Sequence, residues 1–295
     1  MRIGVDLGGT KIAGVALDRS DATTAEVRVP TPIDDYGDVV RAIGDVVHRL
    51  EADVGPAESV GVGLPGSPNP RSGVIRNCNV VVVNGRVLAA DLEEALGRPV
   101  RVANDANCFA LSEAVDGAGA GARAVFGVIL GTGVGGGVVF DGSLQVGPNA
   151  VAGEWGHTPL PWPRRGERPG PACFCGRHGC LDTLISGPAL EAAYALRGGG
   201  RKPAAEIAEA AATGDEVAVE TVLVIADRVA RGLAMIIDVL DPDVIVVGGG
   251  LSNVTALYDV VPDLWGRYVF SDEVVTPFVP AVHGDASGVR GAAFL

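Results

Sequence analysis

A chain of 295 residues is long enough for two domains of ordinary size, each with its own core, and does not depend on a disulfide scaffold. Apolar residues make up 47% against 20% charged, which excludes a disordered chain, and the net charge of -13 argues against nucleic acid and anionic membrane as partners. A small-molecule ligand is the class that remains.

The first residues, Met1-Arg2-Ile3-Gly4-Val5-Asp6, read as a strand and not as a signal peptide. The longest apolar stretch, 217–240, is interrupted by Glu220, Asp227, Arg228 and Arg231, so it reads as a core helix and not a membrane span. Cys173, Cys175 and Cys180 are clustered, while Cys78 and Cys108 stand apart. That usage suits a reducing compartment, and the expected location is the cytoplasm.

In chain order, residues 3–6 read as a strand, Gly8-Gly9-Thr10-Lys11 as a tight turn and 12–17 as a returning strand. The hairpin carries Asp6 at its mouth. Residues 26–29 are expected as a third strand, 35–51 as an amphipathic helix and 59–64 as a strand ending in Pro65-Gly66. Residues 73–79 and 80–83 read as extended, and 89–96 as a short helix closed by Gly97. The strand 100–103 delivers Asn104 and Asp105 to a helix over 106–114.

A second hairpin follows, with strands at 125–130 and 137–140 around the turn Gly131-Thr132-Gly133-Val134-Gly135-Gly136. Its likeness to the first suggests two halves built on one plan. Then come a helix at 188–196, two helices ending at 240, and a strand at 244–247. Gly248-Gly249-Gly250 turns that strand into a helix over 253–268, and a last strand at 276–282 precedes a closing helix at 288–295.

Gly131, Gly133 and Gly136 have the G-x-G-x-x-G spacing, but Val138-Val139-Phe140 reads as a strand where a dinucleotide site needs a helix. The dinucleotide reading is rejected. Two glycine turns with exposed N–H groups and the hydroxyls of Thr10 and Thr132 can instead cradle phosphate oxygens. The competing reading is a pair of ordinary β-turns. Asp6, able to position Mg²⁺ through water, favours a nucleotide. Lys11, one of two lysines in the chain, reads equally as a phosphate contact or a solvated turn residue.

Asp105 is the candidate general base for phosphoryl transfer, because a helix N-terminus keeps a carboxylate ionised. Capping of that helix by Asn104 or Asp105 is the competing reading. His157 with Cys173, Cys175 and Cys180 makes the donor set of a closed tetrahedral zinc site. A disulfide, or His178 as fourth ligand, competes with it.

Together, Asp6-Leu7-Gly8-Gly9-Thr10-Lys11, Asn104-Asp105-Ala106-Asn107, the turn 131–136, Gly153-Glu154-Trp155-Gly156-His157 and the cysteine run 173–180 resemble the ROK family of sugar kinases and repressors. The resemblance extends to Gly288-Val289-Arg290-Gly291-Ala292-Ala293. It implies an α/β, two-domain, actin-like (ribonuclease-H-like) fold with a central cleft. The first domain would comprise 1–115 plus 284–295 and the second 116–283.

The resemblance further implies ATP and Mg²⁺ as cosubstrate, structural Zn²⁺ on His157, Cys173, Cys175 and Cys180, and Asp105 as base toward a hexose 6-hydroxyl. Gly66, Asn79, Asn104, Glu154, His157 and Asp182 match sugar-binding positions. Asp6, Gly8, Gly9, Thr10, Lys11, Gly131, Thr132, Gly133, Gly135, Gly136, Gly249 and Gly250 match the nucleotide side. Asp182 stands where the family commonly has glutamate.

Pro30-Thr31-Pro32, Glu113-Ala114-Val115-Asp116-Gly117, His157-Thr158-Pro159 and Ile185-Ser186-Gly187 resemble fructokinases that also accept mannose, which makes fructose the expected sugar. Phe109-Ala110-Leu111-Ser112-Glu113 and Ala292-Ala293-Phe294-Leu295 look equally like N-acetylglucosamine kinases, the second expectation, with glucokinase third. A sugar-sensing repressor would need a helix-turn-helix ahead of this body, and the strand starting at Arg2 disfavours it. Family members are commonly homodimers or homotetramers.

Overall fold

The computed structural model describes residues 1–295. The chain divides into two compact units, Met1–Gly121 with Gly137–Ala152 and Val282–Leu295, and Ala122–Gly136 with Gly153–Ala281. The sequence division at 115/116 and 283/284 therefore shifts by a few residues, and the end of the second hairpin goes with the first unit. There Ala106, Asn107 and Ala110 lie against Gly137.

The first sheet has the order β3-β2-β1-β4-β7. Its strands are β1 (Arg2–Leu7), β2 (Lys11–Leu17), β3 (Thr23–Pro30), β4 (Ser59–Leu64) and β7 (Val100–Asn104). β1 and β2 pair antiparallel, as do β2 and β3, whereas β1, β4 and β7 run parallel. Helix α1 (Tyr36–Val54) starts where the Asp35 side chain accepts the Asp38 N–H, and it buries Val39, Ile43, Val46, Val47 and Leu50. That spacing is one apolar stripe of a 3.6-residue helix, and it joins Ile3, Val5, Ile12, Val60 and Val62 in a single core.

Helix α2 (Leu88–Leu96) closes with Gly97 in the left-handed region, as its sequence indicates. Helix α3 (Asp105–Val115) follows β7 without a loop. Helix α9 (Ser287–Ala293) covers the sheet so closely that a Cβ on Gly61 would sit 1.9 Å from the Ala292 carbonyl oxygen. Only glycine in β4 admits that approach.

A buried carboxylate ties these helices together. Glu113 accepts from the Ser287 hydroxyl at 2.7 Å, and from the N–H groups of Ala118, Val282 and His283 at 2.9, 3.0 and 3.2 Å. Four donors replace the water that burial removed. Beside it Asp116 receives His283 Nε2 at 2.8 Å and pairs with Arg290.

Residues 73–83 depart from the extended reading. Only β5 (Ser67–Pro68) and β6 (Ile75–Arg76) pair, and Val81–Val83 form a 3₁₀ turn. The Asn84 amide closes that turn by bonding the Cys78 N–H at 2.8 Å and the Cys78 carbonyl at 2.9 Å.

The second sheet has the order β10-β9-β8-β11-β12. It comprises β8 (Ala124–Leu130), β9 (Val134–Phe140), β10 (Ser143–Leu144), β11 (Val244–Gly248) and β12 (Phe278–Pro280). β11 lies parallel to both β8 and β12. Each sheet thus combines a hairpin with parallel strands in the same order, the common plan that the two glycine turns suggest. β9 begins at Val134, so the second turn is shorter than the six residues expected, and β12 is confined by Pro277 and Pro280, which cannot donate to a ladder.

Four helices follow β10 before β11: α4 (Asp182–Ile185), α5 (Gly187–Leu196), α6 (Ala204–Ala212) and α7 (Glu216–Leu240). α8 (Ala256–Trp265) starts three residues later than expected, because Gly250–Asn253 form a 3₁₀ turn. No helix is long and apolar enough to cross a membrane. In α7 the charges at 227–231 are a buried network. The Arg231 guanidinium, fully buried, donates to both Glu167 oxygens at 2.8 and 2.9 Å and pairs with Asp227 at 2.9 Å. Burial works against ionisation of Glu167, but Arg231, the Arg164 N–H and Arg228 outweigh it and hold the carboxyl down to about 2. The network fixes the proline-rich loop ahead of the cysteines, since Arg231 also donates to the Trp162 carbonyl at 3.0 Å.

Candidate active site

In the first unit the parallel strands β1, β4 and β7 all end at one level. Asp6 is paired with Gly63, and Leu64 with Asn104. Brought together at their carboxyl ends are Asp6, the Pro65-Gly66 turn, Asn104 and Asp105, the side of an open parallel sheet where ligands bind. Asn104 caps α3, its side-chain oxygen accepting the N–H groups of Ala106 at 2.9 Å and Asn107 at 3.3 Å, and its amide donates to the Gly66 carbonyl at 3.3 Å. The cap reading therefore belongs to Asn104. Asp105 occupies the first helical position, where the α3 dipole favours its negative charge, and its Oδ1 receives the Ala106 N–H at 2.8 Å. Asn79 is exposed, and its N–H reaches the Pro65 carbonyl at 3.3 Å, which places it beside Gly66.

The turn Gly8–Lys11 is closed by the Gly8 N–H on the Lys11 carbonyl at 3.0 Å, and Thr31 braces it by donating its hydroxyl to the Gly8 carbonyl at 2.7 Å. Gly9, Thr10 and Lys11 are exposed.

Burial pushes the Asp6 carboxyl from 3.8 up to about 6, against the opposing pull of Lys11. In the unfolded chain this group ionises near 3.8, so folding carries a cost that grows as pH rises from 3.8 to about 6 and is complete above it. The full cost is at most about 3 kcal/mol. Asp6→Asn is therefore expected to raise Tm by several degrees above pH 6 and by nothing below pH 3.8, which thermal melts across that range measure. An unchanged Tm at neutral pH would show that Asp6 carries no such cost. A divalent cation held beside the carboxylate would offset it.

In the second unit, β8 and β11 again run parallel and end together, with Gly248 opposite Ile129. Gly249 has φ +82°, and a Cβ there would lie 2.6 Å from the Leu130 carbonyl oxygen. Glycine alone lets the turn Gly248–Gly250 lie against Gly131. The turn at Gly131–Gly133 is held by the Gly131 N–H on the Gly133 carbonyl at 2.9 Å, with Thr132 exposed. Gly135 and Gly136 belong to β9, and the Gly135 carbonyl accepts the Trp155 indole N–H at 2.8 Å. Trp155, buried edge-on against Phe126, thus fixes the exposed Glu154 and the half-buried His157.

Asp182 does something the sequence did not reveal. Its Oδ1 accepts the Val134 N–H at 2.8 Å, where the glycine turn leads into β9.

The ligand atoms of His157, Cys173, Cys175 and Cys180 lie within 4.8 Å of one another, and His178 is exposed and outside the group. Cys175 and Cys180 sulfurs are 3.6 Å apart, and His157 Nδ1 lies 3.6 Å from the Cys173 sulfur. A tetrahedral zinc with ~2.3 Å bonds to sulfur sets its ligands about 3.7 Å apart, whereas a disulfide needs about 2.05 Å. All five cysteines are free thiols. Burial and then the neighbouring sulfurs push the Cys180 thiol up to about 12. The donors fit Zn²⁺, with Nε2 as the other imidazole nitrogen.

The ROK family profile matches residues 2–295. The chain belongs to the ROK family. An N-acetyl-D-glucosamine kinase of Photobacterium profundum is 46% identical over 299 residues, covering 100% of this chain and 99% of its own. Seven further relatives of that name are 40% to 44% identical with the same coverage. Among solved structures, the ROK hexokinase of Thermus thermophilus is 37% identical with TM-score 0.87, covering 99% of this chain and 96% of that one. A ROK glucokinase of Streptomyces griseus, in complex with glucose and AMPPNP, is 31% identical with TM-score 0.81, covering 99% and 98%. The two-domain α/β actin-like architecture of ROK proteins is therefore the fold of this chain.

Proposed function

We propose that this ROK protein is an ATP-dependent hexose kinase whose sugar is N-acetyl-D-glucosamine. The observation that carries the reading is that relatives aligned end to end, up to 46% identical, bear that kinase's name. Fructose, the first expectation from the sequence, finds no support among these names, which favour the sugar placed second.

In this reading Asp105 accepts the proton of the sugar's 6-hydroxyl while that oxygen attacks the γ-phosphorus of ATP and ADP leaves. The α3 N-terminus keeps the base ionised. By the family motifs they match, Asn104, Gly66, Asn79, Glu154 and His157 present groups to the sugar hydroxyls. The Gly8–Lys11 and Gly131–Gly133 turns offer backbone N–H groups to phosphate oxygens, and Gly249 and Gly250 approach the adenosine. Mg²⁺ near Asp6 would supply charge neutralisation to the phosphates.

Zn²⁺ would sit on His157, Cys173, Cys175 and Cys180, closing the site with no open position, so it would supply rigidity and no chemistry. Asp182, which the family motif places at the sugar, also acts as a positioning residue by holding the Val134 N–H through Oδ1.

ADP release followed across N-acetylglucosamine, fructose, mannose and glucose tests the sugar. N-acetylglucosamine is expected to lead in kcat/KM by roughly tenfold or more, the discrimination one buried polar group can provide. A lead for fructose would return the reading to the first expectation.

A further inference from the structure

The open edge of the first sheet carries a pattern that the phosphoryl-transfer site does not use. β3 is an edge strand, paired on one side only. The Thr31 N–H bonds the Thr10 carbonyl at 3.1 Å, which fixes the alternation of this antiparallel ladder. With Val29 opposite Ile12 and Val27 opposite Gly14, residues 25, 27 and 29 turn their backbone groups toward β2. Thr24, Glu26 and Arg28 then turn theirs outward, to the open edge. Glu26 and Arg28 also expose their side chains on the face opposite the buried Val27, and lie 3.8 Å apart as a loose ion pair.

An open edge is a template for another strand unless it is covered or charged. Here the charges do more than repel. A second β3 added antiparallel about a two-fold axis must use outward-facing residues on both sides, which leaves three central registers. Centred on Glu26, the pairing sets Glu26 against Glu26. Centred on Arg28, it sets Arg28 against Arg28. Centred on Val27, it sets Glu26 of each copy against Arg28 of the other, twice. Directly opposed unlike charges stabilise a strand pair and like charges destabilise it, so of these three the charges favour the register centred on Val27, in which the edge is complementary to itself. Pro30, which has no N–H, ends the ladder on one side.

The ground beside the strand has the same character. Between β3 and α1 runs a groove with Pro30, Ala42 and Ala52 as apolar lining and Asp45, His48 and Arg49 along the helix.

We propose that β3 is a self-association surface: a second copy of this chain adds its own β3 antiparallel, centred on Val27, and joins two sheets into one. Self-association of this kind does not depend on the kinase reading.

Light scattering coupled to gel filtration tests it on wild type, two single variants, their mixture and the double variant. Wild-type protein is expected to be associated. Glu26→Lys opposes two positive charges across the pair and is expected to halve the particle mass, and Arg28→Glu does the same by opposing two negative ones. Mixing these two variants one to one restores both unlike pairs, as does the doubly substituted chain E26K/R28E, so both samples are expected to regain the wild-type mass. Both side chains are exposed, and circular dichroism melts of the single variants are expected to match wild type. A monomeric wild type would overturn the proposal and leave the charges as guards of a solvated edge. A mass unchanged by either single substitution, or a mixture that fails to rejoin, would equally overturn it.

Discussion

Replacing Asp105 with alanine is expected to lower kcat roughly 10²-fold to 10⁴-fold, the range for a lost general base. The fold gives no reason for a comparable loss of stability, because Asn104 and not Asp105 caps α3 through the Ala106 and Asn107 N–H groups. Sugar affinity should stay measurable by calorimetry. Asp105→Asn separates charge from shape: the amide oxygen still accepts the Ala106 N–H that Asp105 now receives at 2.8 Å, so the helix start is kept while the base is lost. Both variants should therefore fall in kcat together. If the asparagine variant turns over at near the wild-type rate, the carboxylate is not the base and Asn104-Asp105 is only a helix start.

Loss of the metal is the second large effect expected. Cys180→Ser should release zinc, measured as metal per chain, and lower Tm by roughly 6 °C, which corresponds to about 4 kcal/mol out of structural-zinc binding energies near 10 kcal/mol or more. His157→Ala should do the same, and His178→Ala should not, because His178 lies outside the donor group. The consequence for activity follows from Asp182, two residues after Cys180, which holds the Val134 N–H at the start of β9. A loosened cysteine loop releases that carboxylate, so KM for ATP should rise along with KM for the sugar. Full zinc occupancy in His157→Ala would contradict the ligand assignment, and an unchanged KM for ATP in Cys180→Ser would contradict the link to the glycine turn.

Local signals carried much of this architecture. The first glycine turn, the apolar stripe of α1 and the strand-to-helix passage at Asn104-Asp105 each depend on neighbours within a few residues, and each folds as its sequence indicates. That His157, Cys173, Cys175 and Cys180 gather into one donor group was legible because cysteines and a histidine at short spacing have few other uses in a reduced protein. What escaped depends on partners far along the chain. Asp182 and Val134 are 48 residues apart, Arg231 and Glu167 are 64, and Glu113 and Ser287 are 174.

For two of these a signal was present. Asp227 and Arg231 sit four residues apart inside an otherwise apolar helix, a pattern that marks a buried pair. Glu113 lies in a helix whose neighbours Phe109, Ala110, Leu111 and Ala114 are all apolar, so its carboxylate was bound to need buried donors. Residues 80–83 misled because four β-branched valines favour a strand, and the Asn84 amide that curls them into a turn acts through Cys78, on the far side of the run.

The central claim is that this chain moves the γ-phosphoryl group of ATP onto the 6-hydroxyl of N-acetylglucosamine. Proton-coupled ³¹P NMR of the protein with Mg²⁺, ATP and that sugar tests it most directly. The expected products are ADP and one new phosphomonoester, its signal split into a triplet by the two protons on carbon 6. Unconsumed ATP, inorganic phosphate alone, or a doublet from a phosphate on a ring carbon would contradict it.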